Sequence, residues 1–304
     1  MKLLLDIAST ISCQKTFGQE APFENIFPIG EDALTHVPTY KDFIPPLKLR
    51  RMSPILKMSL TTAIYCMGRA KGDVGATIIG TALGCMKETE SFLLQIKNAM
   101  GNSLSPTSFI HSTHNTVSGQ ISLFFKNHGY NITHSQTNLS FEMSLVDSMN
   151  VLRSSNSIDS VLVGAVDEKI DFLEELRGEL ILSSCPITEL SSSFVVRAGN
   201  RATSGQVVID RICFDYSGLD MQSILEKHHV DLDSFDLVFH SNIRSIESDS
   251  TINYLELSGM NLSASAFACH YAFEQLKRGK GRNALIINNL CSESTGFTFL
   301  SVIE

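Results

Sequence analysis

Three short apolar runs rich in β-branched residues constrain the fold most: 74–82 (VGATIIGTA), 159–167 (DSVLVGAVD) and 283–289 (NALIINN). Each is too short for a buried helix, and each is too evenly apolar for a strand with one wet face. They read as strands covered on both sides. Between them, apolar residues recur three and four apart over 51–69, 88–100, 113–127, 139–153 and 263–277, which is helical spacing. Further strands are expected at 2–10, 131–136, 193–198, 205–214, 235–241 and 296–303, and further helices at 219–228 and 246–257. Strand alternating with helix predicts an α/β fold with mixed sheets. Helices 139–153 and 263–277 carry small or apolar residues on most faces, so they are expected between sheets. Residues 18–49 are rich in Pro, Phe and Gly and are expected to form an irregular surface arm. The rhythm of the first half recurs in the second without a Gly- or Pro-rich linker. The expected division is 1–168 and 169–304.

Charge and cysteine usage exclude several function classes. The chain has 304 residues, 43% hydrophobic and 18% charged, with net charge −8. That composition supports a core and argues against disorder. An acidic chain without a basic stripe is not expected to bind nucleic acid. Cys13, Cys66, Cys85, Cys185, Cys213, Cys269 and Cys291 form no C-x-x-C pair, so neither a zinc ribbon nor a redox motif is expected. Unpatterned cysteines suit a reducing, cytoplasmic setting. Asp6 interrupts the apolar start, and no long uncharged stretch follows, so neither a leader nor a membrane span is expected. His111-x-x-His114 could offer two metal ligands, but no Cys or carboxylate lies close in sequence, so no metal and no cofactor is expected. The triplets at Asn131, Asn138 and Asn261 match glycosylation acceptors and are read as chance. His228-His229 is expected at an exposed helix end.

Several segments together resemble the β-ketoacyl synthases of the thiolase superfamily. They run from Ser105-Pro106 through Asn115 to Ser118-Gly119-Gln120-Ile121-Ser122, then Gly129 and Asn131, then 159–168. Phe235-Asp236-Leu237-Val238-Phe239-His240 is similar to the strand that ends in the family's first catalytic histidine. Ser258-Gly259 through Ala266 is similar to the helix start that bears the second. The resemblance implies a thiolase-like fold: duplicated βαβαβαββ halves in α-β-α-β-α layers, with a shortened cap because little chain separates 205–214 from 235–241.

The resemblance also implies what chemistry is missing. A ketosynthase holds its acyl group on a cysteine at the N-terminus of a buried helix, where the dipole and backbone N–H groups favour thiolate and oxyanion. Here that position falls on Asn138, counting forward from Asn131, or on Leu139, counting back from Gly164. His240 keeps the first histidine position. The second falls on Met260, which donates no hydrogen bond. The family lysine falls near Leu255, and the glycine-rich closing turn is reduced to Ser294-Thr295-Gly296-Phe297. No catalytic residue is assigned, and His240 is read as vestigial.

This pattern is similar to chain-length factors, the ketosynthase-like subunits without the cysteine, and among them to the short subunit of aryl polyene and flexirubin-type pathways. It implies heterodimer formation with a catalytic ketosynthase, service to an acyl carrier protein, and a role in shaping the product tunnel. The alternatives are a cysteine-independent malonyl-carrier decarboxylase working through His240 and Asn115, and an acyl-binding homodimer. His111, His114, Asn115, Phe141 and Met143 are pocket or interface candidates; Lys48, Arg50 and Arg51 are carrier-docking candidates. Lys277, Arg278, Lys280 and Arg282 are read as complementing a helix C-terminus.

Overall fold

The computed structural model describes residues 1–98, 104, 106–155, 157–171, 173, 185–241, 251–291 and 293–304. Among the described residues, ten strands form one sheet in the order β3-β2-β4-β5-β1-β6-β10-β9-β7-β8. The first five are β1 (Leu3–Ile11), β2 (Ala76–Gly80), β3 (Tyr130–His134), β4 (Ser160–Asp167) and β5 (Leu190–Ala198). The last five are β6 (Val207–Asp215), β7 (Leu237–His240), β8 (Thr251–Asn253), β9 (Asn283–Cys291) and β10 (Ser294–Val302). The order 3-2-4-5-1 is mirrored by 6-10-9-7-8, so the two sets are topological copies joined where β1 pairs with β6 at Leu3 and Leu4.

Strand periodicity sorts the core into layers. Along β4, Val161, Val163 and Ala165 face one cluster while Leu162 and Val166 face another. β9 does the same, with Ala284 and Ile286 on one side and Leu285 and Ile287 on the other. Both faces are apolar because both are covered. The shared inner cluster takes Phe141 and Leu145 from one helix and Ala266 to Leu276 from another. These two helices, α6 (Ser140–Ser154) and α9 (Ala264–Lys277), fill the middle layer. Helix α9 packs on β9 and β10 of one set and on β1 and β5 of the other. Outside lie α2 (Pro54–Met67) and α5 (Thr116–Phe125) on the first set and α7 (Met221–Lys227) on the second. The remaining helices are α1 (Pro46–Leu49), α3 (Met86–Asn98), α4 (Pro106–His111) and α8 (Tyr254–Ser258). This is the expected layered α/β architecture. Among the described residues, no helix is long and apolar enough to cross a membrane.

Three expectations need correction. The helix expected over 246–257 is replaced, where described, by strand β8 and the short α8; residues 246–250 lie outside the described residues. Three residues are too few to show a period. The arm is not all surface. Phe23 is 2% exposed and stacks on Tyr271 with ring centroids 4.8 Å apart, and Ile44 is fully buried. His228 is not a free surface group: its Nε2 lies 2.7 Å from Oδ2 of the buried Asp215.

Candidate functional site

The N-termini of α6 and α9 meet the carboxyl ends of the central strands. Gly80 ends β2, and a Cβ there would lie 2.5 Å from the Ser140 carbonyl oxygen, so only glycine lets strand and helix start approach this closely. Ser140 Oγ donates to the Thr137 carbonyl at 2.7 Å and accepts from the Gln136 N–H at 2.9 Å. Thr137 has φ +48°, a conformation that is strained for a β-branched residue. Strain of this kind persists where surrounding structure over-determines it.

Asn138 follows. It is fully buried, and Leu139 is 1% exposed. Ser294 Oγ donates to Asn138 Oδ1 at 3.0 Å, and the Asn138 amide points at Asn288 Oδ1 and the Ser294 carbonyl, each at 3.4 Å. Asn288 Nδ2 donates to the Asn138 carbonyl at 2.7 Å and to Glu142 Oε1 at 2.8 Å. The slot that the resemblance assigns to a nucleophile is therefore a structural knot tying α6 to β9 and β10. Glu142 is 1% exposed and its Oε2 has no hydrogen-bond partner among the described residues. Burial pushes its carboxyl up to about 7, against the pull of Asn288.

His240 ends β7, 1% exposed, opposite Ile287 of β9 and so one position from Asn288. The fold thus brings Asn138 and His240 to the same end of the sheet. Met260 lies by α9 and bridges to Ile187; its N–H donates to the Pro186 carbonyl at 2.8 Å. It lines a cavity of about 150 Å³ with Leu83, Asp167 and Glu168. Leu255 is fully buried.

Asp167, at the end of β4, ties the start of α9 to the turn that follows β2. Its carboxylate accepts from Thr81 Oγ1 at 2.9 Å, the Ala82 and Leu83 N–H groups at 3.0 and 2.9 Å, and Ser263 Oγ at 2.5 Å. Burial raises its pKa, and these donors oppose the rise.

Cys291, at the end of β9 and half-buried, lies near the Asn138 backbone. Burial raises its pKa more than that backbone contact lowers it, so the sulfur is a neutral thiol at neutral pH. Counting along the chain misses this group, as it misses Asn288, because both reach Asn138 from a distant strand. The one available signal was the polar run Asn288–Asn289 inside an otherwise apolar strand.

The remaining candidates form a second locus. Lys48, Arg51 and His111 line one groove of about 680 Å³ with Met52, Ile110, Gln120, Leu123 and Phe124. Lys48 Nζ sits 4.7 Å above the Phe124 ring. Arg50 is exposed but does not line the groove. His114 is exposed and packs against Gly84. Asn115 is exposed and caps α5 without a side-chain hydrogen bond. Phe141 is buried with its ring 5.5 Å from Phe194, and Met143 is half-buried on α6.

Residues 29–176 match the family model described as the N-terminal domain of β-ketoacyl synthases. This stretch, just under half of the chain, is similar to that domain. No curated protein sequence matches the chain. Among solved structures, the ketosynthase-like chain is similar to the ishigamide ketosynthase/chain length factor, at 12% identity over all of both chains with TM-score 0.77. It is similar to AntDE:AntF, a type II PKS acyl-carrier protein in complex with its hexaketide-bound ketosynthase, at 10% identity over 99% of each chain with TM-score 0.74. A ketosynthase (ApeO) in complex with its chain length factor (ApeC) from Xenorhabdus doucetiae matches at 16% identity, over 71% of this chain and 84% of that one, with TM-score 0.54. At these identities the likeness establishes the ketosynthase fold.

Proposed function

We propose that the chain is a non-catalytic, chain-length-factor-like subunit. It pairs with a cysteine-bearing ketosynthase in a type II polyketide or polyene pathway of the aryl polyene or flexirubin kind. What supports this reading is that neither Asn138 nor Leu139, the two positions the resemblance offers for the nucleophile, carries a thiol, and that the Asn138 amide is fully buried with its hydrogen bonds made inside the chain. No acyl thioester can form at either position.

The surface supports a partner. Strand β3 pairs only with β2, leaving its outer edge without a strand among the described residues. Leu123 on α5, which packs on β3, is 70% exposed, and Leu93, Leu94, Phe109 and Ile110 on the mutually packed α3 and α4 also project apolar side chains into solvent. An apolar patch of this kind beside a free edge favours association with a partner subunit. The groove bearing Lys48, Arg51 and His111 borders the same patch and offers positive charge to an acidic acyl carrier protein. The pair would act in the cytoplasm.

Co-expression with a ketosynthase carrying its cysteine and two histidines tests the reading. The expected result is co-purification at one-to-one stoichiometry, with condensation only when both chains are present. A soluble monomer indifferent to the ketosynthase would contradict it.

A further inference from the structure

The cavity of about 150 Å³ beside Met260 is walled by the approach to α9, the end of β4 and the turn after β2. Hydrogen bonds pin these walls. The Thr188 N–H donates to the Met260 carbonyl at 3.1 Å, and the Met260 N–H donates to the Pro186 carbonyl at 2.8 Å. The turn that bears Leu83 is fixed by the Ala82 and Leu83 N–H groups on Asp167 and by the Gly84 N–H, which donates to Thr81 Oγ1 at 3.0 Å. Backbone tied in this way resists moving inward to close the space. Native interiors hold few voids larger than a water molecule, and this one equals about five waters of liquid.

The polar side chains of the wall are already engaged. Asn261 Nδ2 donates to the Asp167 and Thr188 backbone carbonyls at 3.3 and 2.9 Å, and its Oδ1 accepts from the Ser263 N–H at 2.8 Å. Thr188 Oγ1 donates to the Ser258 carbonyl at 2.7 Å. Both Asp167 oxygens accept from the groups described above, and Glu168 Oε1 accepts from the Lys87 N–H at 2.9 Å. What the wall leaves for a guest is the apolar surface of Leu83, Leu173, Ile187, Met260 and Leu262. Ile187 and Met260 are each 5% exposed; Leu83, Leu173 and Leu262 are half-buried and form the mouth. The Met260 thioether is flexible and polarisable, and such sulfurs pack well on a ring edge. Burial pushes the Glu168 carboxyl up to about 7, so the surroundings disfavour charge.

We propose that this cavity binds one small, uncharged, apolar group the size of a single aromatic ring. Apolar cavities of about this volume stay free of water and take benzene. Removal of the ring's surface from water supplies the affinity. The site is built by this chain alone, so it stands apart from any pairing with a ketosynthase.

Titration calorimetry of the full chain against benzene, with benzoate and benzylamine as charged analogues, tests this. The expected result is saturable binding of benzene below about 10 mM, with each charged analogue weaker by about tenfold or more. Leu262→Trp and Leu173→Trp fill the cavity from its mouth and should each weaken benzene binding about tenfold or more. The comparison of benzene with its analogues uses the parent chain, so it decides even if neither variant folds. Absence of saturable benzene binding up to about 10 mM, a charged analogue binding as tightly as benzene, or unchanged affinity in both folded variants would each overturn the proposal.

Discussion

Asn288 donates its side-chain amide to the backbone carbonyl of Asn138 at 2.7 Å, closing the start of α6 onto β9. In a working condensing enzyme this helix start must stay open to receive an acyl group. Here it is part of the core, and its contribution is to stability.

Asn138→Ala therefore should destabilise the chain by about 1–2 kcal/mol, because Ser294 Oγ loses its acceptor in a dry site. Urea unfolding measures it. Asn138→Cys is expected to cost a similar amount and to restore no condensation, since the resemblance puts Met260, which donates no hydrogen bond, at the second histidine position.

Glu142 predicts a pH effect with a defined sign. Its folded pKa, about 7, lies above the ordinary value of 4.5. Between those values the folded state binds more protons than the unfolded chain, so its contribution is intact below 4.5 and is lost as pH rises toward 7. Glu142→Gln keeps an oxygen for Asn288 and removes the charge. At about pH 8 the variant should be more stable than the parent by roughly 3 kcal/mol, and near pH 4 the two should be close. Glu168 has a raised pKa for the same reason, but it is present in both proteins and cancels in the difference.

Leu123→Asp should leave the fold intact, because the side chain is exposed, and should weaken ketosynthase association about tenfold or more. Co-purification from a co-expressing strain checks this. Undiminished pairing would remove α5 from the interface.

Lys48→Glu combined with Arg51→Glu should slow condensation by the assembled pair about tenfold at low ionic strength, with a smaller effect as salt is raised. Initial rates at several carrier concentrations separate this from a loss of pairing.

The layers of the fold were legible in the sequence because buried strands and sandwiched helices leave long apolar signatures. Val161 to Val166 and Ala264 to Leu276 sit where their patterns put them. Short or tertiary features were not. Strand β8 is three residues long, too short to show a period, and pairs with β7. Phe23 is buried only because Phe267, His270 and Tyr271 present a site for it. At the helix start, spacing located Asn138 but not the groups that converge on it. Asn288, Ser294 and Cys291 arrive from the far end of the chain through strand register. Lys48 and His111 carried separate readings until the packing of α1 and α4 around α5 put them in one groove.

Intact-protein mass spectrometry of the reconstituted pair, incubated with an acyl donor, tests the central claim most directly. The predicted result is an acyl adduct on the ketosynthase and none on this chain, with a Cys291→Ser variant supporting full condensation. An acyl group on this chain, mapped to the Cys291 thiol beside Asn138 and abolished by that substitution, would contradict the account.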